Sequence, residues 1–149
     1  MPTDLQIAEN VRDLLRADGE VSLVYITANF EPFSSQGRPD VVFVPRNAPT
    51  HCFCVELRFG RRKPLSPAAA AALPEHLAFV RSAVEFPTVE FAFATDEHLE
   101  PGVTTSLIEQ NVRPFSGVTD AVDLSDRMTR WTRLVLNSIK SADRSSEIS

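Results

Sequence analysis

The segment from His51 to Phe59 constrains the fold of this chain more than any other part of the sequence. Its residues alternate, so an extended strand would carry apolar side chains on one face and a mixed set on the other. The apolar face would consist of Phe53, Val55, Leu57 and Phe59, and the opposite face of Cys52, Cys54, Glu56 and Arg58. We therefore predict a strand whose first face lies in the core and whose second face is interrupted by an acid and a base.

Glu56 and Arg58 are the unusual members of this strand. A strand with both faces covered reads as a continuous apolar run, and this one does not. Burying a charge costs several kcal/mol unless the charge is paired or coordinates a metal. The two side chains therefore either pair with each other, reach solvent at a cleft, or serve a functional site.

Eleven prolines and five glycines divide the rest of the chain into short elements. Helical spacing of apolar residues predicts helices, and alternation predicts strands. The predicted helices cover residues 4–17, 66–72, 75–84, 104–110 and 124–139, and the predicted strands cover 21–30, 40–45, 51–59, 88–95 and 112–118. With 66–72 and 75–84 counted as one helix interrupted at Pro74, the order is α-β-β-β-α-β-α-β-α, which predicts an α/β or α+β fold with a mixed central sheet between helices. The first three strands are expected to form an antiparallel meander.

Composition narrows the class of protein. The 149 residues suit one globular domain, which we expect to cover 1–140, followed by a polar, disordered tail at 141–149. No apolar run is long enough to span a bilayer, and the N-terminal residues do not resemble a secretory signal.

Cys52 and Cys54 are too close in sequence to cross-link distant parts of a fold through a disulfide, which favours a reducing, cytoplasmic location. The net charge of −5 argues against bulk coating of nucleic acid but leaves room for a local basic patch.

Asp40 is the candidate partner of Glu56. If the second and third strands form a hairpin around Pro49, Asp40 falls opposite Glu56 to within one residue. Directly opposed residues lie about 5 Å apart at Cβ. Two carboxylates at that distance, with a backbone carbonyl and water, suit a hard divalent cation such as Mg²⁺.

Pro39-Asp40, a hairpin, and then Glu56-Leu57-Arg58 resemble the PD-(D/E)XK nuclease superfamily. The core of that family, the restriction-endonuclease-like fold, has the order α-β-β-β-α-β, which is similar to the order predicted for residues 4–95. The resemblance implies that Asp40 and Glu56 hold Mg²⁺ or Mn²⁺, that the carbonyl of Leu57 assists, and that a phosphodiester of DNA or RNA is hydrolysed.

Arg58 departs from the motif because it stands where the family has lysine. Lysine is a compact charge that can lose its proton when buried, whereas arginine effectively cannot. Arg58 can therefore stabilise charge on a phosphate or in the transition state, but it cannot act as a base. The resemblance thus admits both an active enzyme and a degenerate one.

Arg61, Arg62 and Lys63 follow directly and, with Arg58, make the one dense basic cluster of the sequence. This cluster either contacts the phosphate backbone of a nucleic acid beside the candidate metal site or is a solvated loop. The acidic run from Asp96 to Glu100 either contributes to a site at the end of the fourth strand or is a turn exposed to water, and the exposed turn is favoured.

A non-catalytic interaction module is the alternative hypothesis. Net acidity, Arg58 in the motif position and an amphipathic last helix favour a dimeric adaptor or a protein that resembles secretion chaperones in outline. The apolar face of that helix consists of Leu124, Met128, Trp131, Val135 and Ile139, which serves either the core or a homodimer or partner surface. Asp123 is the expected cap at its start.

Overall fold

The computed structural model describes residues 4–18, 21–26, 41–60, 66–71, 75, 78 and 86–148. Nine helices and strands are defined within these ranges. They are α1 (Asp4–Asp18), β1 (Val21–Ile26), β2 (Val41–Pro45), β3 (His51–Arg58), α2 (Pro67–Ala71), β4 (Thr88–Thr95), α3 (Pro101–Glu109), β5 (Val112–Phe115) and α4 (Ala121–Ile148). Most of the helix predicted at 75–84, and residues 27–30 of the first predicted strand, lie outside the described residues.

The described strands form one five-stranded mixed sheet in the order β1-β2-β3-β4-β5. The first three strands pair antiparallel, which confirms the predicted meander. β4 then lies parallel to β3, and β5 lies parallel to β4. The predicted α+β class with a mixed sheet is therefore confirmed.

Apolar clusters cover both faces of the sheet. One cluster joins α1 and α4 to the sheet, and its centre is Phe53, which stacks on Phe43 at 5.0 Å and meets Trp131 edge-on at 4.9 Å between ring centroids. The predicted core positions of β3 all belong to this cluster: Phe53, Val55, Leu57 and Phe59. The second cluster, on the other face, contains Cys52 and Cys54 packed among side chains of β4, α3 and β5. The second face of β3 is thus also largely buried.

α4 begins earlier than the sequence predicts, and the prediction that Asp123 caps it is wrong. The helix starts at Ala121, and Oδ1 of Asp120 accepts a hydrogen bond of 2.8 Å from the amide of Asp123. Asp120 is therefore the capping residue, because its side chain satisfies an amide of the first turn. Oδ2 of Asp123 in turn accepts a hydrogen bond of 3.0 Å from the amide of Thr119.

α4 also ends later than predicted. The sequence ends this helix near Ile139 and predicts a disordered tail at 141–149, whereas the structure continues the helix to Ile148. Residues 140–148 contain neither proline nor glycine, so nothing in their backbone chemistry stops the helix. With 28 residues, α4 is about 42 Å long.

The bounds of two shorter elements, α3 and β5, also differ from the prediction. α3 starts at Pro101 rather than Thr104, because proline is tolerated in the first turn of a helix. β5 ends at Phe115 rather than Val118, because the chain turns back there. The amide of Val118 donates a hydrogen bond of 3.0 Å to the carbonyl of Thr95, at the end of β4.

Candidate functional site

At the carboxyl end of β3, the side chains on one face of the strand change from buried and apolar to partly buried and charged. Cys52 and Cys54 are 0% and 1% exposed, whereas Glu56 and Arg58, which follow on the same face, are only partly buried. Side chains two residues apart on a strand are separated by about 6.6 Å. A carboxylate and a guanidinium group thus share one face of the strand at the boundary between core and solvent.

The parallel register defines the neighbours of these two side chains. Glu56 lies beside Phe93 of β4, and Arg58 lies beside Thr95. Thr95 is 1% exposed, and its Oγ1 accepts a hydrogen bond of 3.2 Å from the amide of Glu97. The wall of the candidate site on the β4 side therefore consists of an aromatic ring and a fully buried hydroxyl.

Asp96 lies at the end of β4 and is held against the end of β3. Its Oδ2 accepts a hydrogen bond of 3.2 Å from the amide of Gly60, and its Oδ1 is buried without a hydrogen-bond partner in the described part of the chain. The sequence interpretation of 96–100 as an exposed turn is therefore wrong for Asp96 and Glu97, which are partly buried, and correct for His98 and Glu100.

The sequence offers Asp96 as part of an acidic run at the end of β4, but only the sheet order places it beside the end of β3. The carboxyl ends of parallel strands meet at one edge of a sheet, and ligands of α/β proteins commonly bind outside that edge. Nothing in the sequence states that β4 lies parallel beside β3, because that pairing is made through a connection of some thirty residues.

The other candidate residues lie outside the described residues. They are Asp40 and the basic residues Arg61, Arg62 and Lys63. The register next to Asp40 is nevertheless defined, because Val41 pairs with Val55, Val42 with Cys54 and Phe43 with Phe53. Asp40 directly precedes Val41 in the sequence, and Glu56 directly follows Val55.

The cysteines belong to the core. Their Sγ atoms are 3.9 Å apart, and both thiols are free and buried. A hydrogen bond with Cys52, burial and the nearby charge of Glu56 raise the pKa of Cys54 well above its ordinary value. Such a thiol is a poor nucleophile and a poor metal ligand at neutral pH.

Within the described residues, no group of three or more His, Cys, Asp or Glu side chains is arranged to hold a metal ion.

The site as described offers one carboxylate and one guanidinium group, with a second, partly buried carboxylate on the neighbouring strand. Oxygen ligands suit hard divalent cations, and a guanidinium group suits phosphate oxygens. A cation at this place would need further oxygen ligands beside Glu56, because the described residues hold no group of three or more metal-binding side chains.

Comparisons with protein-family models, with curated proteins and with solved structures gave no match to this chain. In the described part of the chain, no helix has both the length and the apolar character needed to cross a membrane.

Proposed function

We propose that this chain is a metal-dependent nuclease-like protein of the PD-(D/E)XK type that hydrolyses phosphodiester bonds of DNA or RNA. The register between β2 and β3 carries the proposal. Partners in this antiparallel pair have residue numbers with a constant sum, and Val41 pairs with Val55. The same register continued by one residue would set Asp40 opposite Glu56, as the motif requires.

The donor set fits Mg²⁺ or Mn²⁺. Glu56 is a partly buried carboxylate that follows two buried cysteines on the same face of β3, and Asp40 would supply the second carboxylate. Two carboxylates so close would repel each other unless a cation bound between them or one took up a proton. When bound, the cation would supply Lewis-acid activation of the phosphate and of the attacking water.

The residues of the chain would position the substrate and stabilise charge. Arg58 would face the scissile phosphate from the same side of β3 and stabilise the negative charge that develops on it. Arg61, Arg62 and Lys63 would contact neighbouring phosphates without reading the sequence. In hydrolysis the water oxygen bonds to phosphorus, the bond from phosphorus to the leaving sugar oxygen breaks, and a proton passes to that oxygen.

Cleavage assays with matched variants test this proposal. Single- and double-stranded DNA and RNA are incubated with Mg²⁺, with Mn²⁺, or with a chelator. Wild type is expected to cut only with metal. Asp40→Asn and Glu56→Gln are each expected to lower the rate at least about 100-fold, the usual cost of removing a group that stabilises transition-state charge. Glu109→Gln, at an exposed acid of α3, is the control and is expected to retain activity. Equal rates in all four proteins would refute the assigned site.

A non-catalytic adaptor or chaperone-like module is the second candidate function. It is favoured by the exposure of two large apolar side chains of α4, Val122 and Leu134, each 56% exposed. Metal should then leave the melting temperature unchanged. A rise with Mg²⁺ or Mn²⁺ that disappears in Asp40→Ala would count against this function, because only a protein that binds metal in its native state is stabilised by it.

A further inference from the structure

The outer side of α4 carries a ridge of four side chains spaced four residues apart: Val122, Asp126, Arg130 and Leu134. All four are exposed, and the two apolar ones are each 56% exposed. Residues four apart on a helix form a continuous surface row. The opposite side of α4 packs into the core through Leu124, Met128 and Trp131. The ridge therefore remains accessible to a partner from outside the described part of the chain.

We call this row of four side chains the α4 ridge. From its first residue to its last, the side chains are apolar, acidic, basic and apolar. If a second, identical helix lies antiparallel across it, Val122 of each copy meets Leu134 of the other. At the same time Asp126 of each copy meets Arg130 of the other. An interface with two-fold symmetry makes every contact twice. Each side chain of the ridge in one copy would therefore meet a complementary side chain of the ridge in the other copy.

The ridge charges are available for such pairing. Elsewhere on α4, Asp123 and Arg127 form an internal ion pair of 3.1 Å. Arg130, by contrast, donates a hydrogen bond of 3.5 Å to the backbone carbonyl of Asp126. The Asp126 carboxylate takes part in no hydrogen bond or ion pair within the described residues. The ridge thus presents one acid and one base whose charges are not neutralised by each other.

A shallow groove lies alongside the ridge and can receive the partner. It runs between α1 and α4, with Leu14, Val122, Asp126 and Arg130 among its lining residues. Leu14 is 36% exposed. Helices that pack through their four-residue ridges insert the ridge of one into the groove of the other. The partner's Leu134 would then enter the groove between Leu14 and Val122.

We propose that a second copy of this chain docks on the α4 ridge and forms an antiparallel, two-fold symmetric homodimer. Charge complementarity identifies the partner as an identical chain. In an antiparallel pair of identical ridges, the acid of each copy lies opposite the base of the other. This proposal concerns the face of α4 away from the sheet, and it stands independently of any activity at the end of β3.

Sedimentation equilibrium of the full chain and of charge-reversed variants tests the dimer. Wild type is expected to sediment as a concentration-dependent dimer. Asp126→Arg and Arg130→Asp each turn two attractive contacts into repulsive ones, so each is expected to weaken dimerisation at least about tenfold. The double variant Asp126→Arg/Arg130→Asp restores opposite charges across the interface and is expected to restore the dimer.

Glu109→Arg, which reverses an exposed charge of α3 away from the ridge, is the matched control and is expected to leave the dimer intact. Far-UV circular dichroism establishes that every variant is folded. A wild type that is monomeric at all concentrations would overturn the proposal. So would a dimer that both single reversals leave unchanged, or a double variant that dimerises no better than the single ones.

Discussion

The amide of Gly60 donates a 3.2 Å hydrogen bond to Oδ2 of Asp96, and this bond joins the end of β3 to the end of β4. Gly60 has a φ angle of 68°, in the left-handed region. The chain thus leaves β3 through a turn that a residue with a side chain adopts only under strain. Arg58 stands two residues before this turn, at the charged end of β3.

Gly60→Ala is expected to destabilise the protein by about 1–2 kcal/mol, the cost of holding a residue with a Cβ in the left-handed conformation. Urea denaturation measures the change in the free energy of unfolding. Gly102→Ala is the control, because Gly102 is helical and exposed, with no atom within 4 Å of an added Cβ. It is expected to be neutral or stabilising by up to about 1 kcal/mol. Equal effects at the two positions would contradict the assigned turn.

Asp123 links stability to pH at the start of α4. The hydrogen bond from the Thr119 amide, with help from the Arg127 guanidinium group, lowers the pKa of Asp123 below its ordinary value. The stabilisation is therefore present above the unfolded-state pKa and is lost as the pH falls through the lower, folded-state pKa. Asp123→Asn is expected to cost about 1 kcal/mol at pH 7, the usual net contribution of a hydrogen bond.

The pH dependence separates this electrostatic effect from a loss of packing. The difference in unfolding free energy between wild type and Asp123→Asn should shrink as the pH is lowered below about 4. Urea denaturation at a series of pH values measures it. Glu109→Gln serves as the control, and its difference from wild type should stay small throughout. A difference for Asp123→Asn that is constant with pH would disprove the assigned role.

Local patterns were sufficient to predict much of the sheet. Alternation in 88–95 predicts β4 with the bounds that the structure has, Thr88–Thr95. The apolar face of β3 and the antiparallel pairing of β2 with β3 also follow from short-range patterns and a tight turn. These features depend on residues that are close in sequence, so the sequence is sufficient to state them.

Long-range features could not be predicted in this way. That Thr95 lies beside Arg58 depends on a parallel pairing whose two strands are far apart in sequence. The position of Asp96 follows from the same pairing. The sequence places the cap of α4 three residues too late, because Asp120 and Asp123 are both good capping residues. Only the geometry of the turn after β5 selects the first of them.

Thiol labelling tests the burial of Cys52 and Cys54. Because both are buried and the pKa of Cys54 is raised, neither is expected to react with a thiol reagent at pH 8 in the native protein. Two equivalents should react in denaturant, and their rate should follow global unfolding as denaturant is increased. Cys52→Ala should release one equivalent only. Rapid labelling of the native protein would contradict the described packing of this face.

Arg58→Lys tests whether the arginine limits the proposed activity. Lysine would restore the motif of the resembled family and place a compact charge, able to lose its proton, beside the scissile phosphate. We expect this variant to cleave nucleic acid with Mn²⁺ at least about tenfold faster than wild type, within the range of a well-placed acid–base group. Arg58→Ala is expected to be slower than wild type, because it loses the stabilising charge. If Arg58→Lys and Arg58→Ala reduced cleavage equally, the guanidinium group itself would be required, and Arg58 would be a specific phosphate ligand rather than a substitute for lysine.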